Sequence, residues 1–410
     1  MKPFWAVFLI VSILAPGLSA RGEEPLTLDR AVAVAMERNP RILAAAQEVV
    51  ASKGRTLRLQ SFSDPSFVFS DEGLSFRKGS PSGDKEYSFG VEQAFEFPGK
   101  RSLRGRIGRF GEEKAGLELD RTRLLVSAGV KRAYFRAVLS RRAVGSLERS
   151  SALVDRLLEN LIARQRAGAA TSSDVLRARV EKARLRNQAI EEKKEGAAAL
   201  AGLNLLLGRN GDAPAELITD LAYVPMDADP AALGVGTPTS PTSLRIAAAR
   251  RGEAQTGLAL ARKSSLPDLT LGLFFPSLRA GGWGFSFGLS LPVLGQRRKG
   301  EIMEAAAADE MSRIAAAGEE LRVAARIRNA FEAARAAEEQ VRVFEGSLLK
   351  DMEDDMALSL NRYQYGEIAF FELLDLYRTF TSARLEHLRA LYLYNVSLAD
   401  LEVAGEEVAE

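Results

Sequence analysis

Two hydrophobic periods alternate along this chain. Between Glu86 and Phe97, the apolar residues Tyr87, Phe89, Val91, Phe95 and Phe97 alternate with Glu86, Ser88, Gly90, Glu92, Ala94 and Glu96. Gln93 is the one polar interruption. Period two with one apolar side predicts a strand. Trp283, Phe285, Phe287, Leu289 and Leu291 repeat the pattern against Gly284, Ser286, Gly288 and Ser290. The preceding runs, Phe67 and Phe69, then Leu269, Leu271, Leu273 and Phe275, behave alike. Four strands are expected, at about 66–76, 86–97, 268–276 and 283–292, as two hairpins with tips at Gly79 and Gly83 and at Gly281 and Gly282. Strands of roughly ten residues can cross a bilayer when tilted. A soluble antiparallel sheet with one buried face would show the same alternation.

Elsewhere the pattern is helical. No proline occurs between Pro98 and Pro214 or after Pro292, and Ala, Leu, Arg and Glu dominate. A long helix is expected over about 99–165 with a return helix over about 172–207, and a second pair over about 296–362 and 370–403. At 1.5 Å per residue, each long helix reaches on the order of 100 Å. Leu147, Val154, Leu158 and Leu161, and later Ile327, Phe331, Ala334, Val341 and Leu348, keep heptad-like spacing. The seams are interrupted by small and polar residues, which suits helices packed side by side in a cylinder.

The chain is two copies of one unit. Arg164, Gly168 and Asp174 are matched by Arg362, Gly366 and Glu372 at a constant offset (362−164 = 198). Phe89-Gly90-Val91 matches Phe287-Gly288-Leu289 at the same offset. The first copy is expected over 21–208 and the second over 243–405, with a linker or equatorial region at 209–242 and a short tail at 406–410.

Composition narrows the function. Lys and Arg total 56 against 54 Asp and Glu, a net charge of +2, and the basic residues are spread among acids, unlike a nucleic-acid footprint. There is no cysteine, so thiol chemistry, disulfides and a lipidated Cys anchor are excluded. The one histidine, His387, reads as a surface or packing residue. No nucleophile, metal-ligand or phosphate-loop constellation occurs, so neither enzyme activity nor a cofactor is expected. Lys2, the apolar stretch Phe4 to Leu14 and small residues ending at Ala20 predict a signal peptide over 1–20. No later stretch approaches about 18 continuous apolar residues, so a membrane position would require a barrel. Four strands cannot close one, since the smallest have about eight, whereas three chains supply twelve.

The duplicated order helix, hairpin, long helix, return helix resembles the TolC-like outer-membrane efflux proteins (outer membrane factors). Leu26-Thr27-Leu28-Asp29 with Asn39-Pro40 is similar to the family's opening signature, and Leu266-Pro267-Asp268-Leu269 to its entry into the second hairpin. Gln93 to Arg101 resembles the strand-to-helix junction of the CzcC-like heavy-metal-efflux branch. The resemblance implies a mainly α fold with a small membrane β portion: a homotrimer with a twelve-stranded barrel, four strands per chain, continued by an α-helical tunnel. It implies the outer membrane of a Gram-negative bacterium, extending into the periplasm. It also implies a periplasmic adaptor (membrane fusion) protein, an inner-membrane RND-type pump or ABC transporter, and outer-membrane lipid, but no nucleic acid. Phe67, Phe69, Tyr87, Phe89, Val91, Phe95, Leu271, Leu273, Phe285, Phe287 and Leu289 would face lipid, and Glu86, Glu92 and Glu96 the lumen. The periplasmic entrance would lie at the turns carrying Gly168 and Gly366, gated by a contact between Asp174 and Tyr363 with Ser173 beside it. Glu372 and Asp375 would form its acidic ring, and Ile368 stands where the family's second-turn Arg is expected. The cargo this implies is metal cations or small toxic compounds, the alternatives being a drug or type I protein-secretion duct, or a structural periplasmic coiled-coil protein.

Overall fold

The computed structural model describes residues 25–72, 86–226, 241–276, 282–290 and 295–409. The expected signal peptide, both hairpin tips apart from Gly282, and the middle of the linker lie outside them. The first unit runs α1 (Leu28–Arg38), α2 (Pro40–Gln60), β1 (Ser66–Glu72), β2 (Glu86–Phe95), α3 (Lys100–Arg166) and α4 (Ser172–Leu206). The second runs α5 (Thr242–Lys263), β3 (Leu269–Pro276), β4 (Gly284–Leu289), α6 (Gly295–Glu345), α7 (Leu348–Tyr365) and α8 (Phe370–Ala409).

Local chemistry sets these boundaries. Asn39 caps α2 by accepting the Arg41 N–H, and Pro40 follows at the first helical position, where its missing N–H costs nothing. The 67-residue α3 ends where Gly168 adopts φ +76°, with Ala169 N–H on Arg164 O and Gly168 N–H on Gln165 O. α7 ends the same way: Gly366 has φ +79°, Glu367 N–H bonds Arg362 O, and Gly366 N–H bonds Tyr363 O. Both are left-handed glycine caps that satisfy terminal carbonyls. The 198-residue offset therefore joins two turns of one geometry.

The second long helix differs from the continuous element expected over 296–362. It breaks at Gly346-Ser347, and Ser347, at φ −122°, starts α7 afresh. Adjacent Gly and Ser are a recognised cause of sharp helix kinks. His387 of α8 lies across the break, with Nε2 3.0 Å from Glu345 Oε1.

The four strands form one antiparallel sheet in the order β1-β2-β3-β4. Phe69 pairs with Phe89, Phe89 with Phe275, Leu271 with Phe287 and Leu273 with Phe285. This register puts every aromatic and aliphatic position expected to face lipid on one side of the sheet.

The core lies in the helices. At one level Tyr134, Val130 and Val138 of α3 pack with Ala31 and Val34 of α1 and Leu203 of α4. Nearer the glycine turns, Leu147, Val154 and Leu161 of α3 pack with Leu185 of α4, Tyr363 of α7 and Leu373 and Tyr377 of α8, joining the two units. There Glu181, with its side chain 2% exposed, accepts from Arg378 Nε at 2.6 Å.

The linker is strapped across both units. Tyr134 donates to Leu26 O at 2.7 Å and accepts from Thr219 N–H at 2.9 Å. Further along, Tyr394 donates to Val224 O, while Glu338 accepts from Tyr223 Oη, Met226 N–H and Arg342 Nη2 at 3.1, 3.1 and 2.8 Å. Burial raises the Glu338 carboxyl pKa, but those donors outweigh it and hold the group below its ordinary value. A depressed carboxylate stabilises the fold above its unfolded pKa and loses that contribution as pH falls through its folded one. Glu338→Gln is expected to destabilise the protein by about 1–3 kcal/mol at neutral pH, the usual cost of weakened buried polar pairing. The difference in melting temperature from wild type should shrink on acidification, and a pH-independent difference would contradict the assignment.

Candidate functional site

Two features are not explained by the helical core. The first is the aromatic face of the sheet. Phe67, Phe285 and Phe287 are 71%, 73% and 72% exposed, and Phe69, Tyr87, Phe89, Val91, Phe95, Leu271, Leu273 and Leu289 are exposed beside them. Phe69 and Phe89 lie 5.3 Å apart and Trp283 meets Phe285 edge-on at 4.9 Å. A contiguous apolar surface of this kind marks contact with a partner or a membrane. The opposite side is small and polar: Ser70 and Ser88 share a hydrogen bond of 2.6 Å. On that side the Ser286 hydroxyl and the Glu92 side chain close over Gly272, where a Cβ would displace them. Glu92 is thus on the polar side of the sheet. Glu96, below the strand, is paired with Arg104 at 2.7 Å, and nothing is described of the Glu86 side chain.

The sheet is tied to both units at one point. Lys100, buried at the start of α3, donates from Nζ to Leu266 O and to Asp268 Oδ1, both at 2.8 Å. Asp268 Oδ1 also accepts the Phe97 N–H at 2.8 Å. One carboxylate thereby joins the strand-to-helix junction of the first unit to the strand entry of the second.

The second feature is the pair of turns around Gly168 and Gly366, both brought to the same end of the helices. Asp174 is hydrogen-bonded within its own turn, and its charge also reaches Tyr363. Asp174 Oδ2 accepts from the Thr171 hydroxyl at 2.6 Å and from its N–H at 3.3 Å, while Thr171 Oγ1 accepts the Asp174 N–H, forming a capping box on α4. That box occupies the carboxylate locally. Tyr363 instead lies under Arg164, whose guanidinium is 5.2 Å from the ring centroid. Arg177 stacks on Phe371 at the same 5.2 Å. Two arginines of the first unit therefore sit on two aromatic rings of the second. Burial raises the Tyr363 hydroxyl pKa, with Arg164 lowering it and Asp174 adding to the rise.

Ser173 and Glu372 are exposed at the first turns of α4 and α8, and Asp375 is exposed three residues after Glu372. Ile368, at the expected Arg position, packs against the apolar cluster that holds Tyr363 and Phe370. Among the described residues no His, Asp and Glu group is arranged to hold a metal, and no helix is long and apolar enough to cross a membrane. The repeated Arg-x-x-x-Gly before each turn marks Arg164 as part of the duplication but does not reveal its stack on Tyr363. Replacing Thr171 by Val should cost about 1 kcal/mol, as loss of an N-cap does. It should speed hydrogen exchange at Asp174 and Val175, and unchanged exchange there would show that the box does not hold the turn.

Residues 240–404 match the family model described as outer membrane efflux protein. No curated protein matches the chain. Among solved structures, the CmeC outer membrane channel of Campylobacter jejuni is similar at 16% identity and TM-score 0.82, covering 99% of this chain and 94% of that one. VceC, an outer membrane protein of Vibrio cholerae, is similar at 17% identity and TM-score 0.79, covering 93% of this chain and 97% of that one. The MtrE outer membrane channel of Neisseria gonorrhoeae, in its open state, has 18% identity and TM-score 0.78, covering 93% and 90%. The chain has the fold of these outer membrane channels, and residues 240–404 match the outer membrane efflux protein model.

Proposed function

We propose that this chain is the passive exit duct of a tripartite efflux system. Three copies would pool twelve strands into an outer-membrane barrel, and their helices would continue it as a tunnel through the periplasm. The observation that carries this reading is a sheet with an exposed aromatic face set on a helix of 67 residues. Such a face suits the lipid-facing band of a barrel. A duct supplies no energy, so an inner-membrane RND-type pump or ABC transporter and a periplasmic adaptor would work with it. The purified protein should run as a trimer in mild detergent and give conductance in planar bilayers. Monomeric, water-soluble protein without conductance would contradict the reading.

The entrance is proposed at the Gly168 and Gly366 turns, with Ser173, Glu372 and Asp375 exposed around it. Six carboxylates about a threefold axis would attract cations, and Glu92 would add three more inside the barrel. Metal cations are therefore the cargo we favour, with small toxic compounds next. A strain lacking the gene should become more sensitive to divalent metals than to hydrophobic drugs, and the opposite order would favour the drug-export alternative.

The Arg164–Tyr363 stack is proposed to hold the two turns together at rest. Arg164→Ala should raise resting conductance severalfold, consistent with the roughly 0.5–2 kcal/mol of such a stack. Asp174→Ala should do less, since its carboxylate serves the α4 cap. Equal conductance of Arg164→Ala and wild type would remove the stack from the gate.

A further inference from the structure

Toward the helices, the apolar face of the sheet ends in a basic rim. Phe62, between α2 and β1, meets Phe95 edge-on with ring centroids 6.0 Å apart. The Arg101 guanidinium lies over the Phe62 ring, 3.9 Å from its centroid. Arg101 belongs to the first turn of α3, and the N-cap residue there is Gly99, which makes no side-chain cap bond. The positive end of this long helix is thus left without a capping side chain. Arg101, Ser102, Arg104 and Arg109 all line one cavity of ≈ 630 Å³, together with Phe62 and Glu96. Glu96 is the only carboxylate among its lining residues and is engaged by Arg104 at 2.7 Å. Arg104 Nε has no hydrogen-bond partner. Three arginines and a helix N-terminus therefore line one cavity with a single acid among them, beside an aromatic rim.

We propose that this cavity binds the phosphate of an anionic phospholipid from the leaflet adjoining the helices, with its acyl chains running along Phe62 and Phe95. The inference rests on the reading of the sheet as membrane-embedded. Each part of the cavity matches a part of such a lipid. Guanidinium groups present paired donors that suit phosphate oxygens, and an uncapped helix N-terminus favours the same charge. Aromatic rings with a polar neighbour are suited to the level of the headgroups. A water-soluble phosphate would use the cations and leave the rings unused, so a lipid is the occupant that engages both. The ion pair of Lys100 and Asp268 fixes the start of α3 against the sheet and so holds the cationic and aromatic halves of the cavity in register.

The test uses the full chain reconstituted in nanodiscs of phosphatidylcholine alone or mixed with phosphatidylglycerol, with retained lipid counted by native mass spectrometry. Wild type should retain phosphatidylglycerol over phosphatidylcholine. Arg101→Gln and Arg109→Gln should each reduce that preference about fivefold, the typical worth of one arginine at an anionic surface. The double variant should lose more, and Arg149→Gln, exposed in the half of α3 far from the sheet, should behave as wild type. Inorganic phosphate should not displace the retained lipid. An undiminished preference in both single variants, or displacement by inorganic phosphate, would overturn the proposal. Insertion is scored in the same samples. Insertion with no preference for phosphatidylglycerol rejects the lipid site alone, whereas failure to insert in either lipid rejects the membrane reading beneath it.

Discussion

The sheet leaves β1 and β4 with one open edge each and leaves an aromatic face without cover in a single chain. Unpaired strand edges and exposed apolar surface are both unfavourable in water. In the proposed duct, strands from further copies would remove the edges and lipid would cover the face. Every other part of the molecule can be placed relative to that requirement. The Lys100–Asp268 junction fixes the sheet on the helices, the linker strap binds the two units at mid-length, and the Arg stacks join them again at the far turns.

The polar groups that tie the units to the linker or to each other share a pattern. Tyr134, Tyr394, Glu338 and Glu181 are all buried, and each bonds to a backbone group or side chain far away in sequence. Buried polar groups are costly unless paired, so each such pair favours one relative placement of the helices over its neighbours. Long helices with weak, small-residue seams could slide against one another, and these pairs supply the register that the seams do not. At the turns the two arginines stack on their rings beside the buried apolar cluster that joins the units there.

What the sequence discloses depends on whether a feature is periodic or spatial. The strands could be read directly because one face stays uncovered and so keeps strict alternation from Tyr87 to Val91 and from Phe285 to Leu289. The glycine turns could be read because only glycine takes the left-handed cap without strain. The break at Gly346-Ser347 could not, since Gly300 and Gly318 lie within α6 without ending it. The capping box that Asp174 makes with Thr171 was not read from the sequence. A capping box needs only a hydroxyl three residues before an acid, and that local bond takes up the carboxylate first. Arg164 over Tyr363 joins residues nearly two hundred positions apart, which no local pattern reveals.

Because the chain has no cysteine, single cysteines report cleanly on which side of the sheet meets lipid. The most direct measurement is labelling of Phe89→Cys, Phe285→Cys and Phe287→Cys, and of Ser88→Cys, Glu92→Cys and Ser286→Cys, by a water-soluble maleimide in reconstituted membranes. The first three should be protected and the second three labelled. Equal labelling of both sets, or protection of the polar set alone, would contradict a barrel with its aromatic face in the membrane.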